Sequence, residues 1–228
     1  MAVYTGNPSF SATLLPEEVA ELLTPVGDGE ESLSHLFDTL VPESTHVYSA
    51  PQGSLSLDQL FATEFSPRSQ YDQLIELVRS GVTLPDRLVC LAGSGADFHG
   101  FKGRSWAAVP GNLHLAVHFT PQRPLPRFGP AFTALAALSV VDALDGLPGV
   151  ERQASVKWIN DILLGRAKVA GTLAFTQSQD SEVSCAVIGI GLNVDVAPAV
   201  ARDPSVPRVG CVRELLPGAA RLSRLQGR

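Results

Sequence analysis

Lysine is scarce in this chain: of its seventeen basic residues fourteen are arginine, and Lys102, Lys157 and Lys168 are the only lysines. Residues 1–67 hold no lysine or arginine and ten acids, so they sum to −10. The other seventeen basic and thirteen acidic residues give +4, and the total is −6. No basic cluster reaches the density of a surface that tracks phosphates, which argues against duplex nucleic acid as the main partner. An acidic N-terminal part beside a mildly basic body suits an anionic ligand in the body. Cys90, Cys185 and Cys211 are far apart and odd in number. That excludes a disulfide framework, and without a close Cys or His pair it speaks against a structural or catalytic metal such as zinc. The cysteines suit a reducing cytoplasm. No window approaches the ~20 apolar residues needed to cross a bilayer, and the start lacks the basic region of a secretory leader. Neither GxxxxGK[ST] nor a GxGxxG opening a helix is present, which sets aside the two commonest phosphate loops.

What is there is material for one large domain, or one domain with a small appendage: 228 residues, 45% of them apolar. Residues 1–45 read as an acidic helical extension, with short amphipathic helices near 16–23 and 31–40 around the breaker TPVGDGEES. They are too short for a DNA-binding helix-turn-helix and are expected to cover the body. THVYSA and LDQLFATEF read as strands around a PQGS turn. A helix follows in SPRSQYDQLIELVRSG, with Ser69 as cap, an apolar face of Leu74, Ile75, Leu77 and Val78, and Gly81 as its stop.

RLVCLAG reads as a buried strand, and NLHLAVHFT alternates Leu113, Leu115, Val117 and Phe119 against His114, Ala116 and His118. Beyond a proline-rich link come the apolar helix AFTALAALSVVDALDGL, the strand SVKWI, a turn at NDILLGRAK, and strands VAGTLAFTQ and VSCAVIGIGLNVDV. The order predicts an α+β domain with a central mixed or antiparallel sheet flanked by helices.

Two stretches bear chemistry. The loop GSGADFHGFKGRSW combines four glycines with Lys102 and Arg104, so backbone amides and cations can meet phosphate oxygens. In VKWINDILLGRAKVAG, Lys157 lies in a strand-like run. A lysine there either meets a ligand anion or extends to solvent at a sheet edge. Lysine is the residue for a site that sets a single mobile ammonium against a carboxylate or phosphate, where arginine is a rigid fork. Gly189 and Gly191 interrupt a strand, a pattern that weakens packing unless something approaches closely.

In order, the glycine-rich basic loop ending at Trp106, GNL, KWIND, KVAGTL and VIGIGLNV resemble the catalytic domain of biotin protein ligases. The family pattern is roughly GRGRxGRxW, SPxGNLxxS, KWPNDI, K(V/L)xGIL and GIGxNV. The resemblance covers about residues 65–217, with GCVRELLPG similar to a TSLREL-like segment. It implies the biotin/lipoate ligase fold, akin to class II synthetases, over residues 46–228, with the family's small C-terminal β-domain absent.

The implied reaction has two steps. Biotin and Mg2+-ATP give biotinyl-5′-AMP and pyrophosphate, and biotin then passes to a lysine of a carboxylase's biotin carboxyl carrier domain. The resemblance puts Lys157 against the biotin carboxylate and α-phosphate, with Lys102 and Arg104 assisting, and Trp106 near adenine. Gly111, Asn112 and Leu113 match the strand beside the biotin pocket. Asn160, Asp161, Lys168, Gly171, Gly191 and Asn193 match motif positions near the nucleotide, and Ser69 and Gln70 the start of the helix that meets the ureido ring. In the loop Arg104, Gly100 and Gly103 match directly, but His99, Phe101 and Lys102 stand where the family has arginines, and Ile159 replaces the proline of KWPND. A phenylalanine supplies no donors to a phosphate. Family members often dimerise through a sheet edge, which leaves a homodimer open. A lipoate or other acyl-protein ligase, and a ligase-like binding module with impaired turnover, are the alternatives.

Overall fold

The computed structural model describes residues 2–15, 17–26, 34–42, 48–50, 59–121, 129–148, 150–200 and 208–215. Pro16, the PQGS stretch, the proline-rich link and the LPG that ends GCVRELLPG lie outside them. The expected α+β class holds. Among the described residues eleven strands form one mixed sheet: β1 (Ala2–Thr5), β2 (Thr24–Pro25), β3 (Tyr48–Ala50), β4 (Gln59–Ser66), β5 (Leu88–Gly95), β6 (Leu113–Phe119), β7 (Ala154–Lys157), β8 (Asp161–Leu164), β9 (Ala167–Gln179), β10 (Glu182–Leu192) and β11 (Arg208–Val209). Their order is β2-β3-β1-β4-β5-β6-β10-β9-β8-β7, with β11 beside β9. Pairs β1–β4, β4–β5 and β11–β9 are parallel and the rest antiparallel.

One face carries α3 (Ser34–Leu40) and α4 (Gln70–Arg79), packed with Tyr4, Phe61, Leu88, Cys90 and Val187. The other is covered at one end by α1 (Pro8–Ala12) and α2 (Glu17–Ala20), over Val3, Leu60 and Val89. At its other end α5 (Gly129–Asp145) packs on Ile162, Val169 and Ala170. A last turn of helix, α6 (Val212–Leu215), closes the described chain.

Three expectations change. First, residues 1–45 are not a helical extension set apart from the body, because β1 lies inside the main sheet between β3 and β4. Asn7 caps α1, accepting from the Phe10 amide at 3.1 Å, with Pro8 at the first helical position. Second, β3 and β4 are not hairpin partners, since β1 pairs with both. Third, NDILLGRAK is not one turn: its middle is β8, between reversals at 158–160 and 165–166. Of the two alternating faces of β6, the His114–Ala116–His118 face is the more buried one. Each imidazole there faces a backbone carbonyl, His114 Nε2 that of Val109 at 3.4 Å and His118 Nδ1 that of Pro85 at 2.9 Å.

Helix α4 ends as expected. Gly81 takes φ +83°, its amide bonds to Val78, and the Val82 amide reaches back to Leu77. Ser69 occupies the cap position but its hydroxyl makes no capping bond.

Candidate active site

The site is built on a single cross-strand row. Lys157 faces Asp161, Asp161 faces Gly171, Gly171 faces Gly191, Gly191 faces His114, and His114 faces Ala92. Directly opposed residues share a sheet face, so one line across six strands runs from two charged side chains, over two bare glycines, to a buried imidazole. The gap in the middle is filled by Trp106. A Cβ on Gly191 would lie 2.5 Å from two carbons of the indole, and one on Gly171 3.4 Å from the same ring system. The close approach that Gly191 calls for inside its strand is therefore Trp106, and the one at Gly189 is Tyr71, whose ring would lie 3.0 Å from a Cβ there.

The loop folds Trp106 into place. Its amide bonds to the Phe98 carbonyl at 2.9 Å, His99 bridges Ser105, and the Gly100 amide meets the Arg104 carbonyl at 2.6 Å. The tip is one 3₁₀ turn, Phe101–Gly103, with Lys102 at φ +60°. At 3.4 Å the indole N–H donates to His114 Nδ1, while Nε2 faces the Val109 carbonyl. This makes His114 the neutral Nε2–H tautomer, and burial lowers its pKa in the same sense.

Lys168 enters this face because of a bulge. Ile162 pairs with Ala170 but Leu163 pairs with Lys168, leaving Val169 as an extra residue. The irregularity turns Lys168 onto the side of Gly171. Its ammonium lies 2.5 Å from Asp161 Oδ1 and 5.7 Å from the centre of the Trp106 ring. Lys157 is the second cation of Asp161, 3.7 Å from Oδ2.

Two adjoining hollows result. An inner pocket of about 540 Å³, its mouth included, is lined by Ser69, Gln70, Tyr71, Phe98, Trp106 and His114, with Lys168 and the glycines of β9 and β10 as its floor. An outer cleft holds Lys102, Arg104, Lys157, Trp158 and Asp161, and Phe101 and Asn160 border both hollows. The Trp158–Ile159 bond in the wall of the cleft is cis.

Lys102, Arg104, Lys157 and Asp161 thus share the cleft, whereas Gln70, His99, Gly100, Trp106, Lys168, Gly171 and Gly191 share the pocket. Lys157 is not a buried lysine: its side chain is 46% exposed at the sheet edge, against 16% for Lys168. Gln70 points its amide nitrogen at the Leu40 carbonyl, 3.2 Å away, so it is partly committed to α3. Gly103 shapes the loop tip at φ +70° and does not line the pocket.

Gly111, Asn112 and Leu113 line a different hollow, together with Phe10 and Glu64. Asn112 accepts from the amides of Val194 and Val196 at 2.9 and 3.1 Å and donates to the Val196 carbonyl at 2.9 Å. Asn193, 1% exposed, donates to the Gly210 carbonyl at 3.1 Å. These two asparagines tie the end of β10 to β6 and to the segment before α6. Their roles are positional.

His99 changes role as well. Its Nε2 is 2.9 Å from Asp72 Oδ1 and its Nδ1 is 3.1 Å from the Gly100 carbonyl. Both partners are acceptors, so no N–H is left for a ligand. Tyr71, Asp72, Phe98 and His114 were missed as site residues. The alternation of β6 held the signal for His114, once its histidine face is taken as the inner one.

Residues 85–193 match the model of the biotin/lipoate A/B protein ligase family. The bifunctional ligase/repressor BirA of Bacillus subtilis (strain 168) is 32% identical over 115 residues, 50% of this chain and 34% of that protein. The biotin–[acetyl-CoA-carboxylase] ligase of Mycobacterium tuberculosis is 33% identical over 147 residues, 57% of this chain and 52% of that one. The chain therefore spans about a third to a half of the length of these relatives. Among solved structures, the biotin protein ligase of Aquifex aeolicus in complex with biotin and ATP superposes with TM-score 0.50. It is 20% identical, over 72% of this chain and 63% of that one, a likeness of fold.

Proposed function

We propose that the chain is an ATP-dependent biotin–protein ligase of the cytoplasm, a reading supported by the match of residues 85–193 to the biotin/lipoate A/B protein ligase family model. The observation that carries the reading is the pairing of two hollows that share Phe101 and Asn160: a pocket floored by Lys168 adjoins a cleft with three further cations. The pocket takes the acid, with its carboxylate toward Lys168, and the cleft takes the triphosphate. A carboxylate oxygen of biotin attacks the α-phosphorus, the bond to the bridging oxygen breaks, and pyrophosphate leaves. The amine of a carrier-domain lysine then attacks the acyl carbon, AMP leaves with the anhydride oxygen, and the amine loses its proton to solvent. Lys157 and Lys168 offset the charge that develops between carboxylate and phosphorus. The one carboxylate lining the cleft, Asp161, is already matched to two lysines. Its charge is thus compensated, and Mg2+ enters on the nucleotide rather than on a protein cage.

Hydroxylamine trapping tests this without a carrier protein, because it converts an acyl adenylate to a hydroxamate. Biotin hydroxamate formed only with ATP present supports the reading. Lipoyl hydroxamate in its place overturns the choice of acid, and neither product leaves a binding module. Lys157→Ala is expected to slow adenylate formation by about 30- to 100-fold, the worth of one charged contact to a transition state. Phe101 borders both hollows where the family pattern has an arginine. Phe101→Arg is accordingly expected to slow release of the adenylate about tenfold in a pulse-chase, through new donors to its phosphate.

A further inference from the structure

We infer that Asp72 is a positioning residue: it holds His99, and through His99 the 98–106 loop, so that Trp106, Lys102 and Arg104 meet the two hollows. The geometry stands alone, and its catalytic consequence rests on the ligase reading above.

At its base the loop is anchored by backbone. The Gly95 amide bonds to the Ala108 carbonyl and the Ala96 amide to the Ser66 carbonyl, both at 3.0 Å. Further out its backbone bonds turn inward, Gly100 to Arg104 and Gly103 to Gly100. Arg104 Nε likewise stays within the loop, on the Phe101 carbonyl at 3.4 Å, and Lys102 lies over the Phe101 ring. Residues 101–105 are exposed. The side-chain bond that carries the loop across to the helix is the one from His99 Nε2 to Asp72 in the first turn of α4.

A ring that donates from both nitrogens is an imidazolium, and here each donation has a separate use. Nδ1 holds the turn at Gly100, and Nε2 fastens that turn to α4. Around the ring stand Asp72 and the edge of Tyr71, 6.2 Å away, whose hydroxyl is pushed up to about 12 by burial and then by Asp72. Within the loop, Lys102 and Arg104 are the other charges. The hydrogen bond to Asp72, then the one to Gly100, hold the His99 pKa above its ordinary value. The latch is therefore complete at pH below the ordinary histidine value and is lost as pH rises through the raised one. Both side chains keep about a third of their surface exposed, so the contact sets geometry more than it adds stability. It also accounts for a histidine at a position where the family pattern has an arginine: His99 has no N–H left over, and its work is to place the residues that follow.

The test pairs imidazole NMR with kinetics on the full chain. In the wild type His99 should titrate above the ordinary value, and in Asp72→Asn it should fall back toward it. Asp72→Asn should raise the apparent KM for ATP about tenfold and change kcat less than about threefold, because the loop is misplaced in the ground state and transition state alike. His99→Gln should match it, the double variant should be no worse than either single one, and Asp72→Glu should recover most of the loss. The fall of kcat/KM with rising pH should move to lower pH in Asp72→Asn. An ordinary His99 titration in the wild type, an unchanged KM in Asp72→Asn, or additive losses in the double variant would overturn the inference. A wild-type chain that makes no adenylate would sink the ligase reading alone, and the His99 titration would still decide the latch.

Discussion

Lys168→Ala is expected to lower the rate of biotin-dependent adenylate formation by roughly 100- to 1,000-fold, the cost of removing one preorganised donor from an active site. The effect should exceed that of Lys157→Ala. Lys168 lies in the pocket and is 16% exposed, whereas Lys157 is 46% exposed at the rim. A charge acts more strongly where water is displaced. The substitution also takes the nearer cation from Asp161, a buried carboxylate, and leaves Lys157 at 3.7 Å as its partner. Stability should therefore drop by about 1–3 kcal/mol in a urea titration, a partial form of breaking a buried pair. Lys168→Arg should restore the stability better than the rate, since a rigid fork satisfies Asp161 but does not reach the same point in space. A Lys168→Ala protein as fast as the wild type would show that the ammonium on the pocket floor plays no part in the chemistry.

Gly191→Ala carries the second large effect. The new methyl would stand 2.5 Å from the indole carbons and 2.9 Å from Nε1 of Trp106, so the ring must leave its seat. With it go the bond to His114 at 3.4 Å and the stack under Lys168. Overpacking of this kind costs about 1–3 kcal/mol, and a displaced indole closes the pocket it lines. Biotin affinity should fall by roughly 10- to 100-fold, which is about 1.4 to 2.8 kcal/mol. Trp158 is 76% exposed and would mask the signal. In a Trp158→Phe background, however, Trp106 fluorescence reports the shift directly. Trp106→Phe added to Gly191→Ala should recover part of the stability, because the smaller ring leaves room for the methyl. Unchanged fluorescence and affinity in Gly191→Ala would mean that the indole does not rest on this glycine in solution.

The local chemistry of the site was legible in the order of its motifs. The glycine-rich loop, the tryptophan that ends it and the glycines at 171 and 191 each state a requirement for close approach. The structure meets those of Gly171 and Gly191 with the Trp106 indole, while Gly189 is approached by Tyr71. What sequence could not supply was pairing. Ala2–Thr5 is too short to announce itself, and its place between β3 and β4 depends on partners more than forty residues away. Strand propensity of four residues says little without such neighbours. The different placement of Lys157 and Lys168 was hidden for a similar reason. An unbroken alternation along β9 would point Lys168 away from Gly171, and the single extra residue Val169 reverses it. Asn112 and Asn193 looked like ligand contacts because they lie in motifs, yet both spend their amides on backbone groups. Buried asparagines that complete a turn leave the same mark in a motif as those that bind a substrate.

Calorimetric titration of the purified chain with biotin, followed by Mg2+-ATP with pyrophosphate measured in the same sample, tests the central claim most directly. The account predicts saturable biotin binding with one site per chain and release of one pyrophosphate per chain once ATP is added. Biotin binding without pyrophosphate, or no binding by a folded protein, would contradict it.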